Sequence, residues 1–382
     1  MSRASKAINI NDLRTLAKKR LPRMVFDYID GGAEDEVTLA RAVDRYADYE
    51  LQWNSLVDIS KIDASTTVLG AKNPMPFFIS PTAASRLFHP KEGELAVARA
   101  AQKAGIAYSA STLASQTLED IAAVAPDVPK IIQIYVWKDR GIVKEFMARA
   151  KEAGFTGCVL TVDAVVAGYR ERDPRNGFSI PPSINAKTAT QALAKPGYLL
   201  DMLFSSKIGP ANFGKQQSGG GDVMSTINNL FDRTMTWKDA EWMANEWGGA
   251  FAVKGIATAA DAMRAADHGA SAVWISNHGG RQIDTSVPVI DLLPEIRAAV
   301  DPKIEVIADG GVRRGMHALK LIARGATSVA VGRAYLYGLA AGGEAGVARA
   351  IRILKDDVER GLALLGVPRL ADLDEALLRK KP

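Results

Sequence analysis

His278 and Arg281 lie in the stretch Ser276-Asn277-His278-Gly279-Gly280-Arg281-Gln282, with two glycines between them. A histidine takes a proton near neutral pH, and an arginine holds a carboxylate through two parallel hydrogen bonds. Glycines remove side chains where something flat must come close. Together these residues describe a site that binds a small carboxylate and takes a proton from it. The plainer alternative is a turn after a strand that exposes a His and an Arg by chance. A second signal lies downstream. Ile307-Ala308-Asp309-Gly310-Gly311-Val312-Arg313 and Val331-Gly332-Arg333 each end an apolar run in glycine and arginine. Such loops bind phosphate through backbone N–H groups and a helix N-terminus, and Arg313 and Arg333 add charge. Asp309 has the wrong charge for phosphate and suits a ribityl or ribose hydroxyl. The alternative for Gly310-Gly311 is a tight strand-to-helix turn.

Eight short apolar, β-branched runs could position these residues: Met75–Pro81, Ile106–Ser111, Lys130–Val136, Gly157–Asp163, Gly249–Gly255, Ala272–Asn277, Lys303–Asp309 and Ser328–Gly332. Helical patterns fill the intervals, as at Glu92–Ala104, Thr117–Val124 and Arg140–Ala153. Thr258 followed by Asp261 reads as an N-cap with an acid in the first turn. Continuous apolar strands alternating with amphipathic helices predict a parallel sheet. Eight βα units predict the α/β class and a closed (β/α)8 TIM barrel rather than an open doubly wound sheet. Nearly every run ends in polar or glycine residues: Ser80-Pro81-Thr82, Ser111, Gln133-Ile134-Tyr135, Thr161-Val162-Asp163, Lys254, Ser276 to His278, Asp309-Gly310-Gly311 and Gly332-Arg333. Barrels carry their active sites on that face. The interval from Asp163 to Lys254 far exceeds the 22 residues from Ser111 to Gln133, which predicts an insertion at about 180–235 after the fourth strand. Within it, Gln216-Gln217-Ser218-Gly219-Gly220-Gly221 reads as mobile. Residues 1–74 read as helical hairpins and an irregular cover over a barrel spanning 75–382. Asn11 is the expected cap of the first helix, and Gly343 to Leu365 reads as one long terminal helix.

Composition narrows the classes. The chain has 382 residues, 47% hydrophobic and 24% charged, with a formal net charge of +5. That is ordinary for a soluble globular protein with a large core. Lys and Arg are scattered with no run of five, so a solvated surface is expected rather than a nucleic-acid partner. Cys158 is the sole cysteine, which excludes an intrachain disulfide and fits a reducing compartment. It sits among apolar neighbours and reads as a small buried hydrophobe. One Cys and four scattered His give no zinc pattern. No signal-length apolar core opens the chain, and no run of 18 apolar residues occurs.

The motifs at Ser276 to Gln282, Asp309-Gly310-Gly311, Gln133-Ile134-Tyr135 and Thr161-Val162-Asp163 resemble, in the same order, those of the FMN-dependent (S)-2-hydroxy acid oxidases and dehydrogenases. The resemblance runs from Leu21-Pro22-Arg23-Met24 to Arg333. It implies that FMN is the cofactor and that (S)-2-hydroxy acids become 2-oxo acids. L-lactate is the default substrate, and quinone, a cytochrome or oxygen takes the electrons. It implies His278 as base, on the substrate hydroxyl in a hydride route or on the α-carbon in a carbanion route, with Asp163 orienting it. Arg281 and Arg170 would clamp the carboxylate, and Tyr28 and Tyr135 would contact the carboxylate and hydroxyl. Lys254 would sit by flavin N1/O2 and hold the negative charge of the reduced ring. Pro81, Thr82, Ala83, Ser111, Gln133, Thr161 and Ser276 would line the ring; Asp309, Gly310, Gly311, Arg313, Gly332 and Arg333 would hold the ribityl phosphate. A homotetramer in the cytoplasm, with peripheral contact at the inner face of the membrane, is the family expectation.

Two departures bear on specificity. Glycolate oxidases carry tryptophan where this chain has Leu113, which argues against that assignment. Ala167 replaces a leucine of several relatives and should widen the pocket, admitting larger acids such as mandelate. The run Gly168-Tyr169-Arg170-Glu171-Arg172-Asp173 is similar to that of mandelate dehydrogenase. In the insertion, Lys195 to Phe204 reads either as an amphipathic patch for a bilayer surface or as a helix packed on the barrel. No haem pattern precedes the barrel, so the acceptor is expected to be a separate partner. The rival readings are an oxygen-using oxidase that makes hydrogen peroxide, a non-redox phosphate-binding isomerase, and a non-catalytic barrel that binds nucleic acid.

Overall fold

The computed structural model describes residues 3–178, 185–206, 208–213 and 231–381. Eight parallel strands close into a barrel in chain order: Phe77–Ile79, Tyr108–Ser111, Lys130–Ile134, Gly157–Thr161, Ala250–Ile256, Ala272–Ile275, Glu305–Ala308 and Ser328–Val331. The eighth closes on the first, Val329 facing Phe77 and Val331 facing Ile79. Seven strands are shorter than their apolar runs, and the fifth is shifted by one residue. Ser111, Gln133, Thr161 and Lys254 stay within the ladder, and the polar residues beyond the strand ends turn away from it as loops.

Each strand is apolar on both faces because it has two packing partners. Phe78, Ile131, Val159, Trp274 and Ile307 fill the barrel interior, and burying a side chain such as Phe78 contributes about 1.5–3 kcal/mol. The outward-facing residues pack against the surrounding helices. Thr258 caps its helix as expected, its side chain accepting from Asp261 N–H. Thr117 and Asp139 cap Leu118–Val124 and Arg140–Glu152 in the same way. Cys158 is buried.

The N-terminal segment differs from expectation in two respects. The first helix, Ile10–Arg20, is capped by Asn9, whose side chain accepts from Asp12 N–H at 2.9 Å. Asn11 lies inside it, because the apolar face formed by Ile10, Leu13 and Ala17 begins one residue before Asn11. The segment also contributes strands. Thr66–Val68 and Ala71–Asn73 form a hairpin that closes the bottom of the barrel and sends Val68 and Leu69 into its interior. Glu305, at the start of the seventh strand, accepts from Thr67 Oγ1, Leu69 N–H and Gly70 N–H. Tyr49–Leu51 pairs with Leu378–Lys380 near the other end of the chain. These strands are three residues each, too short for an alternation to stand out in the sequence.

The terminal helix begins earlier than Gly343. It runs Arg333–Leu365 with a break at Gly342 and Gly343, where φ is +59° at Gly343. The expected helix is therefore its second limb. The first limb belongs to the eighth βα unit and aims its N-terminus at the top of the barrel. The expected mobile stretch Gln216 to Gly221 lies outside the described residues. Among the described residues, no helix is long and apolar enough to cross a membrane.

Candidate active site

A cavity of about 230 Å³ opens at the C-terminal ends of the strands. Of the residues singled out from the sequence, Tyr28, Pro81, Thr82, Ala83, Ser111, Gln133, Tyr135, Thr161, Arg170, Lys254, His278, Arg281, Asp309, Gly310, Gly311, Arg313, Gly332 and Arg333 all line it. Asp163 and Ser276 stand just behind the wall and reach it through hydrogen bonds.

His278 follows the sixth strand. Its backbone is left-handed, at φ +54°, and its N–H donates to Ser276 Oγ at 3.0 Å. That turn presents the ring to Asp163, with Nδ1 to Oδ1 at 2.9 Å. Asp163 fits because the fifth strand bulges at Gly255; a Cβ on Gly255, at φ +103°, would lie 2.6 Å from Asp163 Cβ. Burial alone would push the Asp163 carboxyl up, but Lys254 and His278 outweigh it and hold it below the usual carboxylate range. A carboxylate that stays ionised fixes the Nδ1–H tautomer and leaves Nε2 as the free acceptor.

Lys254 is buried beneath this pair. Its ammonium donates to Ser276 Oγ at 3.0 Å and lies 3.8 Å from Asp163 and 3.7 Å from Asp309. Ser276 Oγ in turn donates to Asp309, which also accepts from Trp274 Nε1. A buried ammonium between two carboxylates is a fixed positive charge facing the cavity, not a solvated loop lysine.

Two guanidiniums stand over the same ring. Arg281 lies 4.9 Å and Arg170 5.6 Å from the centroid of Tyr28. Tyr28 is stacked on Phe178 at 4.4 Å, so it is both a packed aromatic and a cavity wall. Burial and the neighbouring Arg170 lower the Arg281 guanidinium from its ordinary value. Asp173 pairs directly with Arg170, at 2.9 Å, and offsets Arg281 only from a distance. Two buried cations facing one space favour an anion between them.

The glycines serve the protein as much as any ligand. A Cβ on Gly279 would lie 2.7 Å from Arg333, and one on Gly280 would lie 2.8 Å from Leu39 N. At Gly280 the expected clearance for a flat ligand is clearance for the N-terminal cover, and at Gly279 it is clearance for the Arg333 guanidinium. Arg333 donates to Ile29 O, Gly279 O and Gly31 O, all at 2.8 Å, binding that cover to the site. Its burial, with Arg281 nearby, lowers its pKa to about 9.

The phosphate-type loop is braced by His317, to which no role was given in sequence. Its Nδ1 accepts from Arg313 N–H at 3.3 Å. Its ring stacks on Tyr46 at 4.2 Å, and Tyr46 donates to Gly310 O. Burial, with Lys320, Arg313 and Arg314 around it, lowers its pKa to about 4. The folded state therefore holds His317 neutral while the unfolded chain, near 6.5, takes up a proton. This contribution to stability is full above about pH 6.5 and falls away as the pH drops toward 4. The thermal midpoint should fall between pH 7 and 5, and the fall should be shallower in His317→Gln. Parallel curves for the two proteins would refute this.

Sequence reading also missed Gln282, Phe231, Leu336, Gly209 and Pro210 as cavity residues. Gln282 was visible in the His278 motif. Phe231, Gly209 and Pro210 come from the insertion, where no periodicity marks which residues return to the barrel.

The FMN-dependent dehydrogenase family model matches residues 17–380. A putative L-lactate dehydrogenase of Mycobacterium tuberculosis is 43% identical, covering 97% of this chain and 89% of that protein. Glycolate oxidase 1 of Oryza sativa subsp. indica is 38% identical, covering 96% and 94%. The crystal structure of the monotopic membrane protein (S)-mandelate dehydrogenase superposes with a TM-score of 0.93 at 37% identity, covering 98% of this chain and all of that one. The residues present fit FMN. Gln133 Nε2 and Thr161 Oγ1, on the same cavity as Lys254, are buried without a hydrogen-bond partner, a cost of about 1–3 kcal/mol each that a ring with polar edges relieves. Gly332 leads into the Arg333–Leu365 helix, and a Cβ on it would meet no protein atom within 4 Å, which suits a phosphate at a helix N-terminus beside Arg313. The chain belongs to the FMN-dependent dehydrogenase family and is an oxidoreductase that uses FMN.

Proposed function

We propose that this enzyme oxidises (S)-2-hydroxy acids to 2-oxo acids, with L-lactate as the default substrate and larger acids such as mandelate admitted, and passes the electrons to a quinone or another acceptor. The observation that carries the proposal is the His278–Asp163 pair on the same cavity as the Arg170–Arg281 pair. A base and a carboxylate clamp facing one space define a hydroxy acid by its two ends.

In this reading Arg281 and Arg170 bind the substrate carboxylate, and Tyr28 and Tyr135 orient its carboxylate and hydroxyl. His278 Nε2 takes the proton, from the hydroxyl or from the α-carbon, and Asp163 stabilises the imidazolium that results. FMN, when bound, supplies the two-electron acceptor. Lys254 provides a buried positive charge that offsets the negative charge arriving with those electrons. Pro81, Thr82, Ala83, Ser111, Gln133 and Thr161 hold the ring, with Ser276 acting through Lys254 and Asp309. Asp309, Gly310, Gly311, Arg313, Gly332 and Arg333 hold the ribityl phosphate.

The test is anaerobic mixing of the yellow protein with (S)-lactate and (S)-mandelate, followed by air. Bleaching of the flavin band is expected with both, and slow return of colour marks a dehydrogenase. Fast return in air would instead make it an oxidase, and no bleaching with any 2-hydroxy acid would overturn the reading.

Ala164 and Ala167 line the cavity with no bulk of their own. Ala167→Leu should cut kcat/KM for mandelate by about 10–100-fold relative to lactate, the scale of a few methylenes in an apolar pocket. An unchanged ratio would show that this wall does not set substrate size.

The insertion helix Pro196–Leu203 supports a peripheral membrane contact at the inner face. Its Tyr198 is buried and donates to Leu87 O, and Asp201 pairs with Arg20 and Lys91, so the helix is anchored to the body. Leu193, Leu200, Leu203 and Phe204 remain exposed, Phe204 at 81%. A docked helix with an uncovered apolar edge suits a bilayer surface, and co-sedimentation with anionic vesicles tests it.

A further inference from the structure

Gln282 spends its whole amide on one stretch of backbone. Oε1 accepts from Gly168 N–H at 3.0 Å, and Nε2 donates to Asp163 O and Val166 O, both at 2.9 Å. The stretch from Asp163 to Gly168 is neither helix nor strand, so it has no ladder of its own to fix its path. It begins with the carboxylate that holds His278, continues through Ala164 and Ala167 on the cavity wall, and leads to Arg170. Val165 and Val166 between them point outward and are exposed. The contact is close along its length. A Cβ on Gly168 would lie 2.2 Å from Arg281 O and 2.6 Å from Gln282 Cα.

We infer that Gln282 is the positioning residue that sets the width of the substrate pocket, by pinning the Asp163–Gly168 wall against the loop that carries His278 and Arg281. Small substrates depend on the wall being held in; large ones fill the space themselves. Loosening the wall therefore costs a small acid more than a large one. The inference rests on the hydroxy-acid reading proposed above.

The experiment compares wild type with Gln282→Glu, which sets an oxygen against the two carbonyls, and Gln282→Met, which keeps the length and removes all three bonds. Steady-state kcat and KM are measured for (S)-lactate and (S)-mandelate, alongside FMN affinity and the thermal midpoint. For lactate, kcat/KM should fall about 10-fold or more, the worth of two neutral hydrogen bonds, mostly through KM. The mandelate-to-lactate ratio of kcat/KM should rise by a similar factor. FMN affinity should stay within about twofold, since Gln282 meets none of the ring- or phosphate-holding residues in these bonds. Equal losses for both substrates, or a ratio unchanged within twofold in the two variants, would overturn the inference. If Gln282→Glu does not hold FMN, the ratio in Gln282→Met decides. A wild-type protein that oxidises neither acid would sink the proposed function instead, so the two failures are distinguishable.

Discussion

His278→Gln should retain FMN and its yellow colour but lose about 10²–10⁴-fold in turnover, the usual contribution of a positioned general base. Gln keeps a polar group in reach of Asp163, so the carboxylate is not left bare and the fold should hold. What disappears is the basic nitrogen. His278 Nδ1 is committed to Asp163 at 2.9 Å, and Nε2 is the one ring atom left to take a proton. Asp163 cannot take its place, because Lys254 keeps it ionised and below the usual carboxylate range and it sits behind the wall rather than on it. The check is the anaerobic bleaching rate at saturating substrate together with the flavin content of the purified variant. Near-normal bleaching would remove His278 from the chemistry. Loss of flavin along with activity would make it a structural residue.

The fold was legible because the signal repeats. Eight apolar runs with amphipathic intervals leave few arrangements other than a closed barrel, and even the cap at Thr258 could be read from Asp261 three positions on. The site was legible because barrel chemistry gathers at strand ends, so His278, Asp163, Lys254 and Asp309 converge although they are far apart in sequence. The N-terminal cover was poorly legible. Its hairpin strands are three residues long, and some of its contacts with the barrel are made by backbone. Gly280 against Leu39 N is such a contact. No side-chain pattern records it, and the glycines that permit it look the same as glycines that clear space for a ligand. His317 was passed over for a related reason: a lone histidine in a helix gives no sign that a tyrosine from the cover, Tyr46, will stack on it. Lys254 shows the reverse case. Its place at the end of an apolar run marked it for the site, but its burial between Asp163 and Asp309 follows only from the barrel closing around it.

Gly311→Ala and Gly332→Ala should separate these two uses of glycine. Gly311 sits at φ +69°, and a Cβ on it would lie 1.7 Å from Ala42 O and 2.4 Å from Ala42 C. The neighbour is backbone, in the cover helix Val37–Asp44, so no rotamer change relieves the clash. Left-handed backbone costs a non-glycine residue about 1–2 kcal/mol, and overpacking typically adds about 1–3 kcal/mol. Moving the helix to relieve the clash would disturb Tyr46, which donates to Gly310 O, and Thr38, whose N–H donates to Asp284 at 2.7 Å. Gly311→Ala should therefore lower the thermal midpoint even without cofactor, by several degrees, and weaken FMN binding as a consequence. Gly332 has φ −106°, and its Cβ would meet no protein atom within 4 Å. Gly332→Ala should leave the apoprotein's midpoint nearly unchanged. If Gly332 is a close approach to the ribityl phosphate at the helix N-terminus, the methyl group should still weaken FMN binding by tenfold or more. The measurements are apoprotein melting and FMN titration of both variants. An undisturbed apoprotein in Gly311→Ala would mean that the cover does not rest on this loop. Unchanged FMN affinity in Gly332→Ala would place the phosphate elsewhere, leaving Arg313 and its His317 brace as a purely structural corner of the barrel.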